Sequence, residues 1–584
     1  MWAISQSGII GPMAQPTGDR AESEPELVAA RETPVRRRLV LEAIVAAWLV
    51  LCVYVVLRPD PVRSLGTMYD DVVYVSLAKA IATGQGYHSI HLVGAPVHEK
   101  FPPGVPMVYA LAWGITGSLH GTLWLGLWLT IGAVALGAGL LFWYSRYSLG
   151  NGLVLTGVLV LMPVLLQRSI RYYAGAVSEP WYLLTWAAAL ILADAIRRRA
   201  DEERSRTTRT AIGLGLVLAA SVLFRAQAIV LIPAILIALL LRRATWRAAV
   251  ITTMITAAAS LLPVLAWRVW LAREVAIGPR ATQLDQLPYT SWIPLGDLGA
   301  LAGFIKTTIV TNVPKYSALS GFVLVGWESW KAQLVFLAAA VAAAIGCWLL
   351  RRRRPELVLT LVATVAVVLL WPFTQDRFIV AALPFAGLAA AFGVGWALDR
   401  APRWAIGASL TVVALAALYM WRSTPRQMLV ALRDPVARDT LVIAPLFQQR
   451  SAEVVDWVLA NTAPDDRILA DAAGNIYLKT GRRTSIAVPE QPFTDRRAFM
   501  KPGRYVAERL LADSVSVVVL WRYFAIPFAR ELDFVEGRCP GTFTPLQPIM
   551  SKTEPLFVNY FRVQRNEACL RGLVTDSGGP SLPR

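Results

Sequence analysis

Charged residues are scarce in this chain, and cysteine and histidine are scarcer still. Only 16% of the 584 residues are charged, against about a quarter in soluble globular domains. The 4 cysteines show no CxxC pair and no Cys/His spacing of the kind that binds structural zinc. The net charge of +18 comes largely from arginine runs between apolar segments. That pattern is typical of membrane-protein loops and does not indicate nucleic-acid binding.

Apolar residues, by contrast, make up 56% of the chain and fall in long segments, which indicates a polytopic membrane protein. A polar tail, 1–38, ends in Arg36-Arg37-Arg38 and is predicted to be cytoplasmic and disordered. The first predicted span comes next, at about 39–57. Further apolar segments lie at 103–118, 121–143, 151–167, 180–196, 210–223, 226–241, 247–271, 333–350, 356–372, 378–398 and 403–421.

Arginine-rich joints set the predicted orientation, because positive loops stay in the cytoplasm. These joints are at 197–209, 242–247, 351–354 and 399–403. Alternation from them places the loops 58–102 and 272–332 on the outer side, the second with an amphipathic helix at about 296–312. Segment 103–118 is short and opens with two prolines, so we interpret it as a re-entrant or surface helix.

Together these features predict a polytopic α-helical membrane protein with about 11–13 transmembrane helices. Residues 39–421 form the transmembrane module. From 422 to 584 the sequence predicts a soluble extracytoplasmic α/β domain, with strands in "DDRILADAAGNIYLKTGRRTSIAV" (465–488) and "SVSVVVLW" (514–521). In an oxidising compartment Cys539 and Cys569 could form a disulfide; the alternative is two buried thiols.

An acidic pair, Asp70-Asp71, opens the stretch "MYDDVVYVSLAKAIATGQGY" (68–87) just after the first span. The pattern predicts a helix over 71–83, with Asp70 as N-cap and Gly84 as its C-terminal stop. Its structural interpretation is that Asp70 caps a helix on the membrane surface while Asp71 favours the helix dipole. Its functional interpretation is that a carboxylate partly shielded from water acts as a general base.

The functional interpretation gains support from the remainder of the same loop. Three of the 4 histidines lie within "HSIHLVGAPVHEK" (88–100), which ends in His98, Glu99 and Lys100. Lys100 could contact a phosphate, or could be an ordinary interfacial lysine. His98 and Glu99 could hold a divalent metal ion, although no cofactor is predicted as required.

Several motifs resemble a known group in their order and sidedness. They are "DDxxYxxxAxxxxxGxGY" from Asp70, "FPPGVP" (101–106), "RYYAGAVSEPWYLL" (171–184), "SVLFRAQAIVLIPA" (221–234), "QDRFIVAALPFAGLAAAFG" (375–393) and "APDDRILADAAGNIYLKTGR" (463–482). Over most of residues 39–490 the chain resembles the GT-C fold glycosyltransferases. It is most similar to the bacterial branch related to aminoarabinose transferases and protein O-mannosyltransferases.

The resemblance implies transfer of a sugar from a polyprenyl-phosphate carrier to a lipid, polysaccharide or protein acceptor, on the outer face of the cell membrane. It implies that Asp70 is the general base, Asp71 its companion and Glu179 the second-loop acid. Arg225 and Arg377 match basic positions for the donor phosphate, and a guanidinium fork suits phosphate oxygens. Ordinary alternatives are a dipole-favoured acid for Glu179, an interfacial arginine for Arg225 and an Asp376 partner for Arg377.

Two other function classes compete with this hypothesis. A transporter or lipid flippase would place its polar groups near the bilayer midplane, whereas these acids fall at outer helix ends. A non-catalytic assembly protein would explain the soluble domain equally well. It would not require Asp70, Asp71 and Glu179 to face one compartment.

Overall fold

A computed structural model describes most of the chain. The described residues are 24–68, 70–198, 204–241, 245–279, 293–325, 330–371, 375–402, 445–470, 473–486, 503–521, 525–547 and 558–575, with 411, 429 and 433 as isolated positions. Among them, five helices are long and apolar enough to cross a membrane, and shorter apolar helices accompany them. The chain is a membrane protein, as predicted.

The membrane part is almost entirely helical. Its α-helices are α1 (Glu24–Leu57), α2 (Pro61–Ser64), α3 (Asp70–Ala82), α4 (Gly104–Thr116), α5 (Leu119–Trp143), α6 (Leu153–Thr156), α7 (Met162–Leu165), α8 (Gln167–Tyr173), α9 (Glu179–Arg198), α10 (Arg204–Phe224), α11 (Leu231–Leu240), α12 (Trp246–Ile277), α13 (Leu298–Val325), α14 (Trp330–Leu350), α15 (Pro355–Leu370), α16 (Asp376–Val380) and α17 (Leu383–Leu398). The π-helical turns Tyr144–Ser148 and Gly157–Leu161 and the 3-10 turn Ala226–Val230 complete them.

The predicted apolar segments up to residue 398 fall on these helices and turns, although 151–167, 226–241 and 378–398 are each divided among more than one element. Segment 403–421 falls almost wholly outside the described residues. Local sequence explains the C-terminal end of α3. Gly84 has φ +73°, and the amides of Gly84 and Gln85 donate to Ile81 and Ala80. This is a Schellman motif, which needs a left-handed residue at that position, so the predicted stop at Gly84 is confirmed.

Two segments bear on the predicted topology. Helix α4 has 13 residues, which is about 20 Å and too short for a bilayer core of about 30 Å. Its length therefore favours the re-entrant interpretation. Helix α13 has 28 residues and occupies much of the stretch 272–332. The predicted amphipathic helix at 296–312 was too short, because the helix continues through the internal Pro314.

The C-terminal part is an α/β unit built on a five-stranded sheet of order β2-β1-β3-β5-β4. Strands β1 to β3 are parallel, and β5 pairs antiparallel with both β3 and β4. The elements are α18 (Pro445–Asn461), β1 (Ile468–Ala470), α19 (Ala473–Thr480), β2 (Thr484–Ile486), α20 (Arg504–Ala512), β3 (Val517–Trp521), α21 (Ala525–Arg538), β4 (Phe543–Pro545), β5 (Val558–Val563) and α22 (Glu567–Thr575).

The predicted strands and the disulfide of this part are confirmed. All five residues of β3 are buried, as a central strand requires. Cys539 and Cys569 form a disulfide with Cα atoms 5.8 Å apart. Helix α19 was missed, since a turn was expected between the first two strands.

The sheet unit packs directly against the loop that joins α3 to α4. Thr484, the first residue of edge strand β2, pairs with Leu92 as an added parallel bridge. The Thr484 amide donates to the carbonyl of His91 at 2.9 Å, and the Val93 amide donates to the carbonyl of Thr484 at 3.0 Å. Leu478 of α19 also joins the hydrophobic cluster formed by α3 and α4. Helix α3 is therefore held between the membrane helices and the sheet unit.

Candidate active site

Four charged side chains from separate parts of the sequence meet at one end of the helices. Asp70 lies at the start of α3, Glu179 at the start of α9, Arg225 at the break between α10 and α11, and Arg377 in α16. Arg377 Nη2 is 2.6 Å from Asp70 Oδ2, and Arg225 Nη1 is 2.7 Å from Glu179 Oε1. Arg377 Nε lies 3.8 Å from the same glutamate oxygen, so the two ion pairs form one continuous array.

The two adjacent aspartates have different surroundings. Asp71 Oδ2 accepts the amide of Gly66 at 2.9 Å, and Asp71 Oδ1 accepts that of Val72 at 2.7 Å. Asp70 lies inside the first helical turn and directs its carboxylate to Arg377. The helix begins at Asp70 itself, one residue before the predicted start at 71, and the role of Asp70 as N-cap stays a prediction. Asp71 binds the local backbone amides, because its side chain folds back over the turn that precedes α3.

Arg225 is held in place on three sides. The chain leaves α10 at this residue in an extended conformation, with φ −147° and ψ 117°, and the side chain reaches the start of α9. Its guanidinium donates to Ser178 Oγ at 2.8 Å, to Glu179 and to Gln227 Oε1 at 2.9 Å. Glu179 is completely buried, and such a carboxylate requires a charged partner of this kind.

Arg377 belongs to a different segment and completes the array. Its neighbour Asp376 accepts a hydrogen bond from Tyr172 of α8, while Arg377 itself pairs with Asp70. The ordinary alternative, a simple pair between Arg377 and Asp376, is thus not the arrangement found. Burial of these groups in one array is what a site for a charged ligand requires.

The chain matches known proteins by structure and not by sequence. No protein-family model matches the chain, and no curated protein sequence matches it. The solved oligosaccharyltransferase of Archaeoglobus fulgidus in the apo form is similar with a TM-score of 0.50 at 13% identity, covering 82% of this chain and 69% of that one. The same enzyme tethered to an acceptor peptide gives 0.50 at 14% identity, covering 88% and 74%. These solved structures are GT-C glycosyltransferases.

This protein has the GT-C fold. The fold expected from the sequence resemblance is therefore confirmed. ArnT from Cupriavidus metallidurans bound to undecaprenyl phosphate also matches, with 12% identity and a TM-score of 0.48 over 93% of this chain and 99% of that one.

A cleft in this GT-C protein opens onto the charged array. Its empty volume is about 320 Å³, which suits a phosphate or part of a sugar. Its lining combines charged, polar and aromatic groups. The lining residues are Asp70, Tyr74, Phe101, Pro102, Ser178, Arg225, Ala226, Gln227, Trp371, Arg377 and Phe378. Glu179 is not among these described lining residues and lies behind Arg225.

Gln227 was missed by sequence reasoning, although it belongs to the quoted segment "SVLFRAQAIVLIPA". A neutral amide side chain at an interfacial helix break carries no distinctive sequence signal. Only the contact with Arg225 and the position on the cleft distinguish it.

The remaining predicted site residues are placed apart from this cleft. Asp71 lines a second cavity of about 450 Å³ with Tyr109 and Arg171. Lys100 is buried beside the ring of Phe101 but is not among the described residues that line the first cleft. Its role in binding phosphate stays a prediction.

The candidate metal ligands lie in a hydrogen-bonded loop. His98 Nδ1 is 3.0 Å from Ser89 Oγ, and His98 Nε2 accepts the Phe101 amide at 3.0 Å. Both ring nitrogens therefore have protein partners. The described residues contain no group of three or more His, Cys, Asp and Glu side chains that could hold a metal ion. The metal prediction for His98 and Glu99 rests on the sequence alone.

Proposed function

We propose that the protein is a membrane glycosyltransferase that moves a sugar from a polyprenyl-phosphate carrier to an acceptor on the outer face. The observation that carries the proposal is the cleft in which one carboxylate, Asp70, meets two arginines, Arg225 and Arg377. Transfer from a phosphate carrier needs a base for the acceptor and cations for the leaving phosphate. The GT-C fold supports the same class of reaction.

A second polar cluster supports the proposed orientation. Asp194, near the end of α9 farther along the chain, pairs with Arg197 at 2.8 Å, with Arg198 at 2.8 Å and with Arg354. These arginines come from two joints that the sequence predicts as cytoplasmic. Because α9 starts at Glu179 and ends at Arg198, the active-site array lies at its opposite end, which we assign to the outer face.

The proposed step has a balanced course. An acceptor hydroxyl oxygen attacks the anomeric carbon of the sugar and forms the new glycosidic bond. The bond from that carbon to the phosphate oxygen breaks, and its electron pair leaves with the polyprenyl phosphate. The hydroxyl proton passes to the carboxylate of Asp70. Attack opposite to the leaving group inverts the anomeric configuration.

The arginines stabilise the charge that develops on the phosphate. Arg377 has an additional effect, since its ion pair occupies the Asp70 carboxylate that has to take the acceptor proton. A donor phosphate would compete for Arg377 and release Asp70. We assign Glu179 to positioning, because it holds Arg225 from the buried side and is not among the described residues that line the cleft.

The proposal is tested by measuring transfer from a labelled polyprenyl-phosphate sugar by the purified full-length protein. We expect Asp70→Asn to lower the transfer rate at least about 100-fold, the usual contribution of a general base. Asp297→Asn is the matched control, because Asp297 is an exposed aspartate in the predicted outer loop 272–332. Normal transfer by a folded Asp70→Asn variant would remove Asp70 as the base.

A transporter would behave differently in the same preparation. Wild-type protein that transfers no sugar from any lipid-linked donor, but supports sugar-dependent flux in vesicles, would replace the glycosyltransferase proposal with transport.

A further inference from the structure

Gln227 presents an unused hydrogen-bond donor beside the first cleft. Its Oε1 accepts from Arg225 Nε at 2.9 Å. A guanidinium can only donate hydrogen bonds, so the amide oxygen must be the atom that faces it. The amide nitrogen is therefore not used in this contact. This buried Nε2 has no hydrogen-bond partner within the described part of the chain.

Arg225 carries a second donor of the same kind. Its Nε and Nη1 are engaged by Gln227, Ser178 and Glu179. Its Nη2 is buried and lacks a hydrogen-bond partner among the described residues. Both Arg225 and Gln227 line the cleft that also contains Asp70 and Arg377. Buried donors without partners are unfavourable and are rare in folded proteins, so this pair indicates a ligand with acceptor oxygens.

The backbone fixes the two side chains relative to each other. Arg225 is extended, and the next residues form the 3-10 turn Ala226–Val230, closed by the Ala228 amide donating to the Arg225 carbonyl at 2.9 Å. This turn brings Gln227 back against the guanidinium. A side chain locked in this way binds a ligand without losing further rotamer freedom.

We propose that Gln227 is a donor-binding residue, and that its amide N–H and Arg225 Nη2 together bind one oxygen of the carrier phosphate. The inference rests on the proposed function and extends it to a residue outside the acid and arginine set. A phosphate oxygen accepts two such hydrogen bonds readily. A hydrogen bond from the neutral amide is directional, so it fixes where the phosphate oxygen lies in a way that charge attraction alone does not.

The test compares Gln227→Glu with wild type in binding undecaprenyl phosphate, the sugar-free carrier, to purified full-length protein. Glutamate keeps the oxygen that accepts from Arg225 but replaces the N–H donor with a charge that repels phosphate. We expect the affinity to fall about tenfold or more and the KM for the sugar-loaded donor to rise with it, while the acceptor KM stays unchanged. Gln85→Glu is the control, since Gln85 is an exposed glutamine beyond the end of α3.

The outcomes separate this inference from the function on which it rests. If wild type binds the carrier and Gln227→Glu binds it equally well, the inference fails and the glycosyltransferase proposal stands. If Gln227→Glu weakens only the sugar-loaded donor, the amide contacts a sugar hydroxyl and the phosphate assignment is overturned. If wild type binds no carrier, both proposals fall. A loss in Gln227→Glu that Gln85→Glu does not share supports the inference.

Discussion

At the scale of single residues, the pair between Asp70 and Arg377 couples the proposed base to a proposed phosphate ligand. The two side chains are 2.6 Å apart and largely buried. In Asp70→Asn the guanidinium loses its charged competitor, so we expect undecaprenyl phosphate to bind about threefold tighter or more, although transfer is lost. Titration of the purified variant with the sugar-free carrier measures this. Arg377→Gln should bind the carrier at least about tenfold more weakly, and weaker binding by Asp70→Asn would contradict the competition.

Substitutions at Glu179 and Arg225 separate an effect on stability from an effect on activity. Glu179 is completely buried and lies 2.7 Å from Arg225. Glu179→Leu leaves a buried guanidinium without its partner, which should lower the free energy of unfolding by about 3–5 kcal/mol. In the double variant Glu179→Leu/Arg225→Met both charges are gone, so thermal stability should largely return while transfer does not. Recovered transfer in the double variant would show that Arg225 is dispensable.

Residues that belong to a motif could be predicted from the sequence, whereas residues whose role depends on contacts with distant segments could not. The acids and arginines were identified from motif order, and all four core members meet in the fold. The backbone contacts of Asp71 were not predicted, because they depend on where Gly66 and Val72 direct their amides. Gln227 was not predictable, since its contact with Arg225 has meaning only beside a cleft that distant segments close.

At the scale of elements, length and composition predicted the long membrane helices but not the breaks within 151–167 or the full length of α13. Gly117 and Ser118 mark the boundary between the apolar segments of α4 and α5. Gly117 ends α4 with φ +65°, and the Ser118 side chain accepts the Gly121 amide at the start of α5. Short helices were harder to predict from the sequence. Helix α19 has 8 residues, and its intrinsic preference is weak; its packing on α3 and the sheet decides its structure.

The disulfide is an element-scale feature that should matter for stability and not for chemistry. Cys539 and Cys569 join the end of α21 to α22 across a separation of 30 residues, near β4 at one edge of the sheet. The loop that joins α3 to α4 docks at the other edge, on β2. We expect Cys539→Ser/Cys569→Ser to lower the unfolding free energy of the sheet unit by about 2–4 kcal/mol. Transfer measured well below the melting temperature should remain within about twofold of wild type, and a larger loss would show coupling across the sheet.

At the scale of the whole molecule, His91 makes the docking of the sheet unit sensitive to acid. Its carbonyl accepts from Thr484 while its ring is buried, and burial lowers the pKa of the imidazole to about 3. In the unfolded chain this pKa is about 6.5. The unfolded chain therefore binds an extra proton between these values, so the contribution of His91 is complete above about pH 6.5 and is lost as the pH falls toward 3.

This linkage is measurable as a melting temperature that falls between about pH 7.5 and pH 4.5. In His91→Leu the fall should be smaller, because no imidazole has to stay neutral. His120→Leu serves as control, since His120 is exposed and should leave the pH dependence of wild type intact. Equal slopes in wild type and His91→Leu would assign the acid sensitivity to other groups.

The docked loop also links the sheet unit to the proposed chemistry, because the same loop runs on to Phe101 and Pro102 on the cleft lining. Thr484→Pro removes the amide that donates to His91. Inside the sheet this change is tolerated, as Thr484 begins an edge strand and its amide points out of the ladder. We expect Thr484→Pro to lower transfer about tenfold by letting the loop move away from the cleft, with the disulfide still formed.

Thr484→Val is the matched control, because it keeps the amide and loses only the hydroxyl bond to His91, and it should lose much less transfer activity. Full activity in Thr484→Pro would mean that the membrane helices alone hold the cleft in shape.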